Sequence, residues 1–135
     1  MESSSTTSNV NANRLFYASC FALITTAFSF AIAAGILDQL KTELELTASQ
    51  AGLITSMWFA GFPIAMVIGG LIYHKVGGKI IMQFAFFAHT IGILLLIFSG
   101  SYVGLLVANL LIGLGNGCTE AACNPMIADA YKGTR

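Results

Sequence analysis

Four long apolar runs leave this chain few folds to choose from. A helix rising 1.5 Å per residue needs about 20 apolar residues to cross the hydrocarbon core of a bilayer. Four stretches meet that length, at about 14–40, 50–73, 80–98 and 102–127. Of the 135 residues 56% are hydrophobic and 9% charged, whereas a soluble domain carries about 25% charged residues. The expected fold is therefore an all-α membrane protein with four transmembrane helices, and its first partner is the lipid bilayer.

Several function classes fall away at once. Net charge is zero and no basic patch suggests a nucleic acid partner. Cys20, Cys118 and Cys123 all lie inside apolar spans. Cys118 and Cys123 stand roughly 140° apart on a helix, so they neither pair nor share a metal. No Ser/His/Asp, metal or phosphate-binding arrangement marks an enzyme. Gly113-Leu-Gly115-Asn-Gly117 resembles part of a dinucleotide loop, but it follows no strand and lies inside a span. No cofactor is expected.

Residues 1–13 are polar, rich in Ser, Thr and Asn and without apolar period, which reads as a disordered tail rather than a signal peptide. Arg14 opens the first span, which can continue as helix towards Leu44. Its Ser19, Ala22, Thr26, Ser29 and Ala33 recur on one face. Packing is the plainer role for them, because hydroxyls bond back to helical carbonyls; Thr26 and Ser29 are also candidates for lining a cavity. Thr47 or Ser49 can cap the second span. In that span Gly52, Ser56 and Ala60 offer a small-residue ridge for a close neighbour. Pro63 is expected to kink the helix, and Trp58 lies too deep for an interfacial belt. Gly69 to Lys79 reads as a short turn made possible by its glycines. His89 sits near the middle of the third span. A hydrogen-bonded packing role is its plainer reading, and a proton relay the sharper one. Ser99-Gly100-Ser101 is a minimal turn into the fourth span.

That fourth span holds the stretch Asn109–Pro125, where an apolar crossing carries a carboxylate, Glu120. At about 100° per residue, Asn109, Gly113, Asn116, Gly117, Glu120, Cys123 and Asn124 all fall within roughly 60° of Glu120. The other face, with Leu110, Leu111, Leu114 and Ala121, is apolar or small. Such a polar stripe faces protein or a water-filled cavity, and an ionisable group on it is a functional candidate by default. The bland alternative is a protonated acid that only joins two helices. Glu120, with Asn116 and Asn124 one turn to either side, is the candidate site for substrate and proton. Asn109, Gly113 and Gly117 are candidate cavity-lining positions.

Basic residues give the orientation. Arg14, Lys75, Lys79, Lys132 and Arg135 fall on one side of a four-span arrangement, and Lys41 alone on the other. By the positive-inside rule the N-terminus is cytoplasmic, in a multi-pass protein of the cell (inner) membrane. Glu120 stands about 18 residues beyond Tyr102, roughly 27 Å along the helix and so in the inner half. Asp38 lies at the outer end of the first span, close to water.

Gly115, Gly117, Cys118, Glu120, Ala122, Asn124 and Pro125 resemble the fourth-helix signature of the fucose:proton symporter branch of the major facilitator superfamily, a glycine-rich run leading into E-x-A-x-N-P. Gly70-Leu-Ile-Tyr-His74-Lys75-Val-Gly77-Gly78-Lys79 is similar to the superfamily's loop motif between helices two and three. Gly70, Lys75, Gly77 and Lys79 match that motif, while His74 replaces its acid and Gly78 a basic residue. The resemblance covers the chain after Arg14. It implies that Glu120 is the cavity carboxylate for substrate or proton, and that Gly70, His74, Lys75, Gly77 and Lys79 form an inner gating loop. Asn109 stands where the superfamily often has Arg. Ala34 stands where the branch carries an acid in helix one. The implied activity is secondary active transport, a proton-coupled symport of a sugar or similar small polar metabolite by alternating access.

The resemblance also implies twelve helices in two six-helix halves. Four spans then form part of the N-terminal half, and the remaining transporter helices are expected as partners missing from this chain. The alternative is a complete four-helix membrane protein, either a small dimeric exporter or a non-catalytic tetraspan scaffold. Small exporters place their working acid in helix one, and tetraspan scaffolds use a cysteine-bearing extracellular domain; neither feature is seen here.

Overall fold

The computed structural model describes residues 11–132. Among them run α1 (Ala12–Gly35), α2 (Leu37–Glu43), α3 (Ala48–Val76), α4 (Gly78–Phe98) and α5 (Tyr102–Tyr131). The first two meet at Ile36 and together make one crossing, so the described residues contain four helices long and apolar enough to span a membrane.

Local chemistry sets the helix ends. Asn11 caps α1, its side-chain oxygen accepting from the Arg14 amide at 3.1 Å. The helix therefore begins at Ala12, inside the stretch expected to be a tail, and the tail expected over residues 1–10 lies outside the described residues. Thr47 rather than Ser49 caps α3, in a capping box. Its hydroxyl accepts from the Gln50 amide at 3.2 Å while the Gln50 side chain accepts from the Thr47 amide at 2.9 Å. This satisfies two amides that a free helix start leaves without partners. Ser101 caps α5 through the Gly104 amide.

One local expectation changes. The turn expected over Gly69–Lys79 is almost wholly helical: α3 continues to Val76, α4 begins at Gly78, and Gly77 alone joins them at φ 81° and ψ 153°. That conformation is open to glycine and strained for any residue with a Cβ. In α3 the helix also continues through Pro63 without a break.

The bundle is built round α5. It lies between α3 and α4, which touch each other little, and α1 packs on its remaining side. Gly61, Gly69 and Gly117 sit at contacts in which α3 and α5 advance together, whereas Gly92 and Gly78 of α4 meet α5 in reverse order, at Ile112 and Met126. So α5 runs parallel to α3 and antiparallel to α4.

Small residues allow the close approach. A Cβ on Gly61 would stand 2.7 Å from the Leu110 carbonyl oxygen, and one on Gly92 would stand 2.8 Å from Ile112 Cγ1. Gly113 and Gly117 of α5 are pressed against the backbone carbonyls of Trp58 and Phe62. In lipid, where tails are as apolar as leucine, this backbone-to-backbone fit replaces the hydrophobic drive of a soluble core.

The expected ridge of Gly52, Ser56 and Ala60 is exposed. Instead α3 packs through Ala51, Ile54, Gly61, Ala65, Gly69 and Tyr73. Both rows have small residues at helical spacing; only the second meets the carbonyl-facing glycines of α5.

Two apolar clusters close the ends of this interface. One gathers Ala33, Leu46, Ile54, Leu96, Leu105, Ala108 and Ile112. The other gathers Ala65, Tyr73, Ile81, Ala85, Cys118 and Ala122. Outward, Phe21, Phe28, Leu71, Phe86, Phe87 and Phe98 are exposed, the surface expected of helices that face acyl chains rather than water.

Candidate functional site

The polar residues of α5 divide according to which neighbour they meet. Asn116 is 1% exposed. Its Nδ2 donates to the Thr26 carbonyl at 3.3 Å, and its Oδ1 accepts from the Ser29 hydroxyl at 3.2 Å. Oδ1 also meets His89 Nε2, whose ring places Nδ1 3.0 Å from the Ala85 carbonyl of its own helix. One amide thus ties α1, α4 and α5 together.

Four residues and one turn beyond lies Glu120, half-buried and without a hydrogen bond or ion pair among the described residues. It borders a cleft of about 440 Å³ between α1, α3 and α5. Thr26, Asn116 and Asn124 share the lining with it, and Phe30, Trp58 and Phe62 form an aromatic wall. Trp58 stacks on Phe62 with ring centroids 5.5 Å apart and planes inclined by 6°, and meets Phe30 at 4.4 Å. Its Nε1–H is buried without a hydrogen-bond partner. Such an atom is costly to leave unmet. The volume and the mix of apolar wall with few polar groups fall within the range of small-molecule sites, about 300–1,000 Å³.

The sequence-derived candidates therefore separate. Glu120, Asn116, Asn124 and Thr26 come together on the cleft. Ser29 does not line it but lies behind, bonded to Asn116 and to the Thr26 carbonyl. Asn109 is turned back on its own helix, donating to the Leu105 carbonyl at 3.0 Å, beside a much smaller void that it shares with Ala34 and Trp58. Gly113 and Gly117 serve the α3 contact rather than the cleft lining. Their position on the same helical face as Glu120 is compatible with this, because α3 occupies one edge of that face and the cleft the other.

The candidate gating residues lie at the other end of α3. Gly70 is exposed within that helix, His74 and Lys75 occupy its last turn, and Lys79 the first turn of α4. At the same end of the bundle, at the C-terminal end of α5, Asp129 bonds Lys132 at 2.6 Å. That hydrogen bond, reinforced by the carboxylate's charge, holds the exposed Lys132 ammonium above its usual range.

The aromatic wall was not legible beforehand, because it depends on α1 and α3 meeting at one depth. His89 was singled out, but not its partner 27 residues away in the chain. A polar residue at mid-span was the available signal for the latter. Among the described residues, no three His, Cys, Asp or Glu side chains gather as a metal site would need.

Residues 19–135 match the Major Facilitator Superfamily. The chain is similar to the hexuronate transporter of Bacillus subtilis (strain 168), with 30% identity over 98 residues, covering 71% of this chain and 23% of that protein. It is also similar to the probable anion transporter 6, chloroplastic, of Arabidopsis thaliana, with 28% identity over 83 residues, covering 61% of this chain and 16% of that protein. The chain spans less than a quarter of the length of these relatives. Neither is named for fucose, so the match supports the superfamily and not the branch. No solved structure matches.

Proposed function

The chain belongs to the Major Facilitator Superfamily, a family of multi-pass membrane transporters and not of enzymes, and from that premise we propose that its cleft is one wall of the cargo site of a secondary active transporter. The transporter takes up a sugar or similar small polar metabolite together with a proton, by alternating access. What supports this reading is one observation: Glu120, Asn116, Asn124 and Thr26 share a cleft with the aromatic wall of Phe30, Trp58 and Phe62.

Each part has a chemical use. Glu120, without a bonded partner, is free to take up and release a proton. The side-chain amide of the exposed Asn124 donates and accepts hydrogen bonds to hydroxyl groups, while Asn116, whose amide is engaged by Thr26, Ser29 and His89, holds the helices that frame the cleft. Aromatic faces give the apolar side of a sugar ring a flat surface. The opposing wall, and the motion of one half against the other, belong to helices beyond those described. The His74–Lys79 segment is proposed as the cytoplasmic gate, and the cell membrane with a cytoplasmic N-terminus as the setting.

Cargo class follows from the lining. The names of the two relatives suggest a uronate or another anion, yet among the described residues no Lys or Arg borders this cleft and its ionisable side chain is an acid. Asn109, where the superfamily often has Arg, is turned away from it. A neutral hydroxylated cargo therefore suits this wall better than an anion, whose charge would need a partner on the opposing wall.

The test is uptake by the full-length protein in vesicles, offered labelled sugars and uronates with and without a pH gradient. Glu120→Gln should retain cargo exchange but lose accumulation driven by the gradient. A Glu120→Gln protein that concentrates cargo as wild type does refutes the role of the acid. Gradient-driven uptake of uronates alone refutes the assignment of neutral cargo.

A further inference from the structure

His89 lies outside the cleft and is not used by the mechanism above, yet its surroundings are unusual for a packing residue. Each ring nitrogen faces an oxygen, Ala85 O at Nδ1 and Asn116 Oδ1 at Nε2. The Asn116 amide is held in this orientation from its other end. There Nδ2 donates to the Thr26 carbonyl.

A neutral imidazole has one N–H. With the proton on Nδ1, the bare Nε2 faces Asn116 Oδ1; with it on Nε2, the bare Nδ1 faces Ala85 O. Either tautomer sets two acceptors against each other in a site of low dielectric, where such mismatches are costly. The imidazolium has no mismatch, because both nitrogens donate. A neutral ring is satisfied only if the Asn116 amide turns over, so that Nδ2 donates to Nε2. Oδ1 then faces the Thr26 carbonyl, and the hydrogen bond between α1 and α5 is lost.

We propose that His89 is a proton-binding site of this chain, and that its protonation and the Asn116–Thr26 hydrogen bond are made and broken together. The proton joins the ring at Nε2 from water and returns to water, and the N–H bond is the sole covalent bond that changes. Loaded, the site fastens α1 to α5 through Asn116; unloaded, it releases that bond and reverses the donor and acceptor that the amide presents.

The ring sits in a groove of about 310 Å³ between α1 and α4, shared with Ala22, Thr25, Met82, Thr90 and Thr119 among others, and among the described residues no other titratable side chain lines it. Between the helix ends, the titratable groups on the elements around it are Cys20 on α1 and Cys118, Glu120 and Cys123 on α5. Glu120 borders the cleft together with Asn116. It is the group whose titration must be separated from that of His89.

The inference does not depend on the transport reading, and its test does not use transport. The chain has two histidines, and His74 is exposed, which gives an internal reference. The full chain, labelled with 15N at histidine and asparagine, is placed in lipid nanodiscs and titrated by NMR. On raising the pH, His89 should pass from two ring N–H groups to one. The Asn116 side-chain amide should change its signal with the same midpoint.

In His89→Gln, whose neutral amide donates to Oδ1 at any pH, the Asn116 signal should no longer titrate. In Glu120→Gln the coupled change should persist. Three results overturn the inference: a His89 ring fixed in one protonation state throughout, an Asn116 signal indifferent to His89, or a coupled change abolished by Glu120→Gln. Should His89→Gln fail to fold, the wild-type and Glu120→Gln titrations still decide.

Discussion

Gly61→Ala, set against Gly52→Ala, separates packing from helix propensity within a single helix. A Cβ on Gly61 would stand 2.7 Å from the Leu110 carbonyl oxygen and 3.0 Å from the Leu114 amide nitrogen. Both are backbone atoms of α5 and cannot rotate away. Ordinary Cβ contact begins at 3.4 Å, so α3 and α5 must part here by about 0.7 Å. A gap of roughly 0.5–1 Å forfeits a quarter to a half of the dispersion well for the atoms along it. Overpacking of this kind costs about 1–3 kcal/mol, against which removal of a mid-helix glycine returns about 0.5–1 kcal/mol.

The net expectation for Gly61→Ala is a loss of about 1–2 kcal/mol, close to a tenfold fall in the folding constant. Gly52, on the same helix, has nothing within 4 Å of its would-be Cβ. There the same substitution should be neutral or stabilise by about 0.5–1 kcal/mol. Reversible unfolding in mixed micelles, followed by helical circular dichroism, reads both. If the two variants have the same stability, or Gly61→Ala is the more stable, then the close α3–α5 contact does not carry the fold.

Two further substitutions test the connections. Gly77→Ala places a Cβ on a residue at φ 81° in the one-residue link between α3 and α4, and should cost about 1–3 kcal/mol in the same unfolding assay although nothing lies near it; an unchanged midpoint refutes that strain. Thr47→Ala removes the hydroxyl that accepts from the Gln50 amide and should cost about 1 kcal/mol, with faster amide exchange confined to the first turn of α3; protection unchanged at Gln50 would show the cap to be idle.

The parts of the fold that were legible beforehand rest on local rules. Four crossings follow from apolar length, and the Ser99–Ser101 turn from residue type, as does the cap of α3, narrowed to Thr47 or Ser49; the caps at Asn11 and Ser101 were not read from the sequence. The buried row of α1, namely Ser19, Thr26, Ser29 and Ala33, follows from spacing alone. The grouping of Glu120, Asn116 and Asn124 follows from the helical wheel.

What was not legible depends on the partner surface. Helix α3 has two rows of small residues, and the choice of Gly61 and Gly69 over Gly52 and Ser56 is made by the glycines of α5. For α5 a single inward face was expected, yet Gly115 against the His89 ring and Ala108 beside Gly92 form a second one towards α4. A helix wrapped on several sides has no single amphipathic stripe, so its periodicity understates its burial. The helical continuation from His74 to Val76, past the expected end of the second span near residue 73, was missed because glycine permits a turn without requiring one.

The walls of the cleft are attached in different ways. On the α3–α5 side, main chain rests on main chain along a column of glycines, a seam that admits neither sliding nor a larger side chain. At mid-depth α1 is attached by the carbonyl and hydroxyl of Thr26 and Ser29 meeting one amide. Natural variants that change what the cavity accepts should therefore concentrate on the inner surface of α1, where an altered side chain disturbs no interlocked backbone. If the cavity changes shape during a working cycle, α1 is the wall that yields while α3 and α5 move as one body.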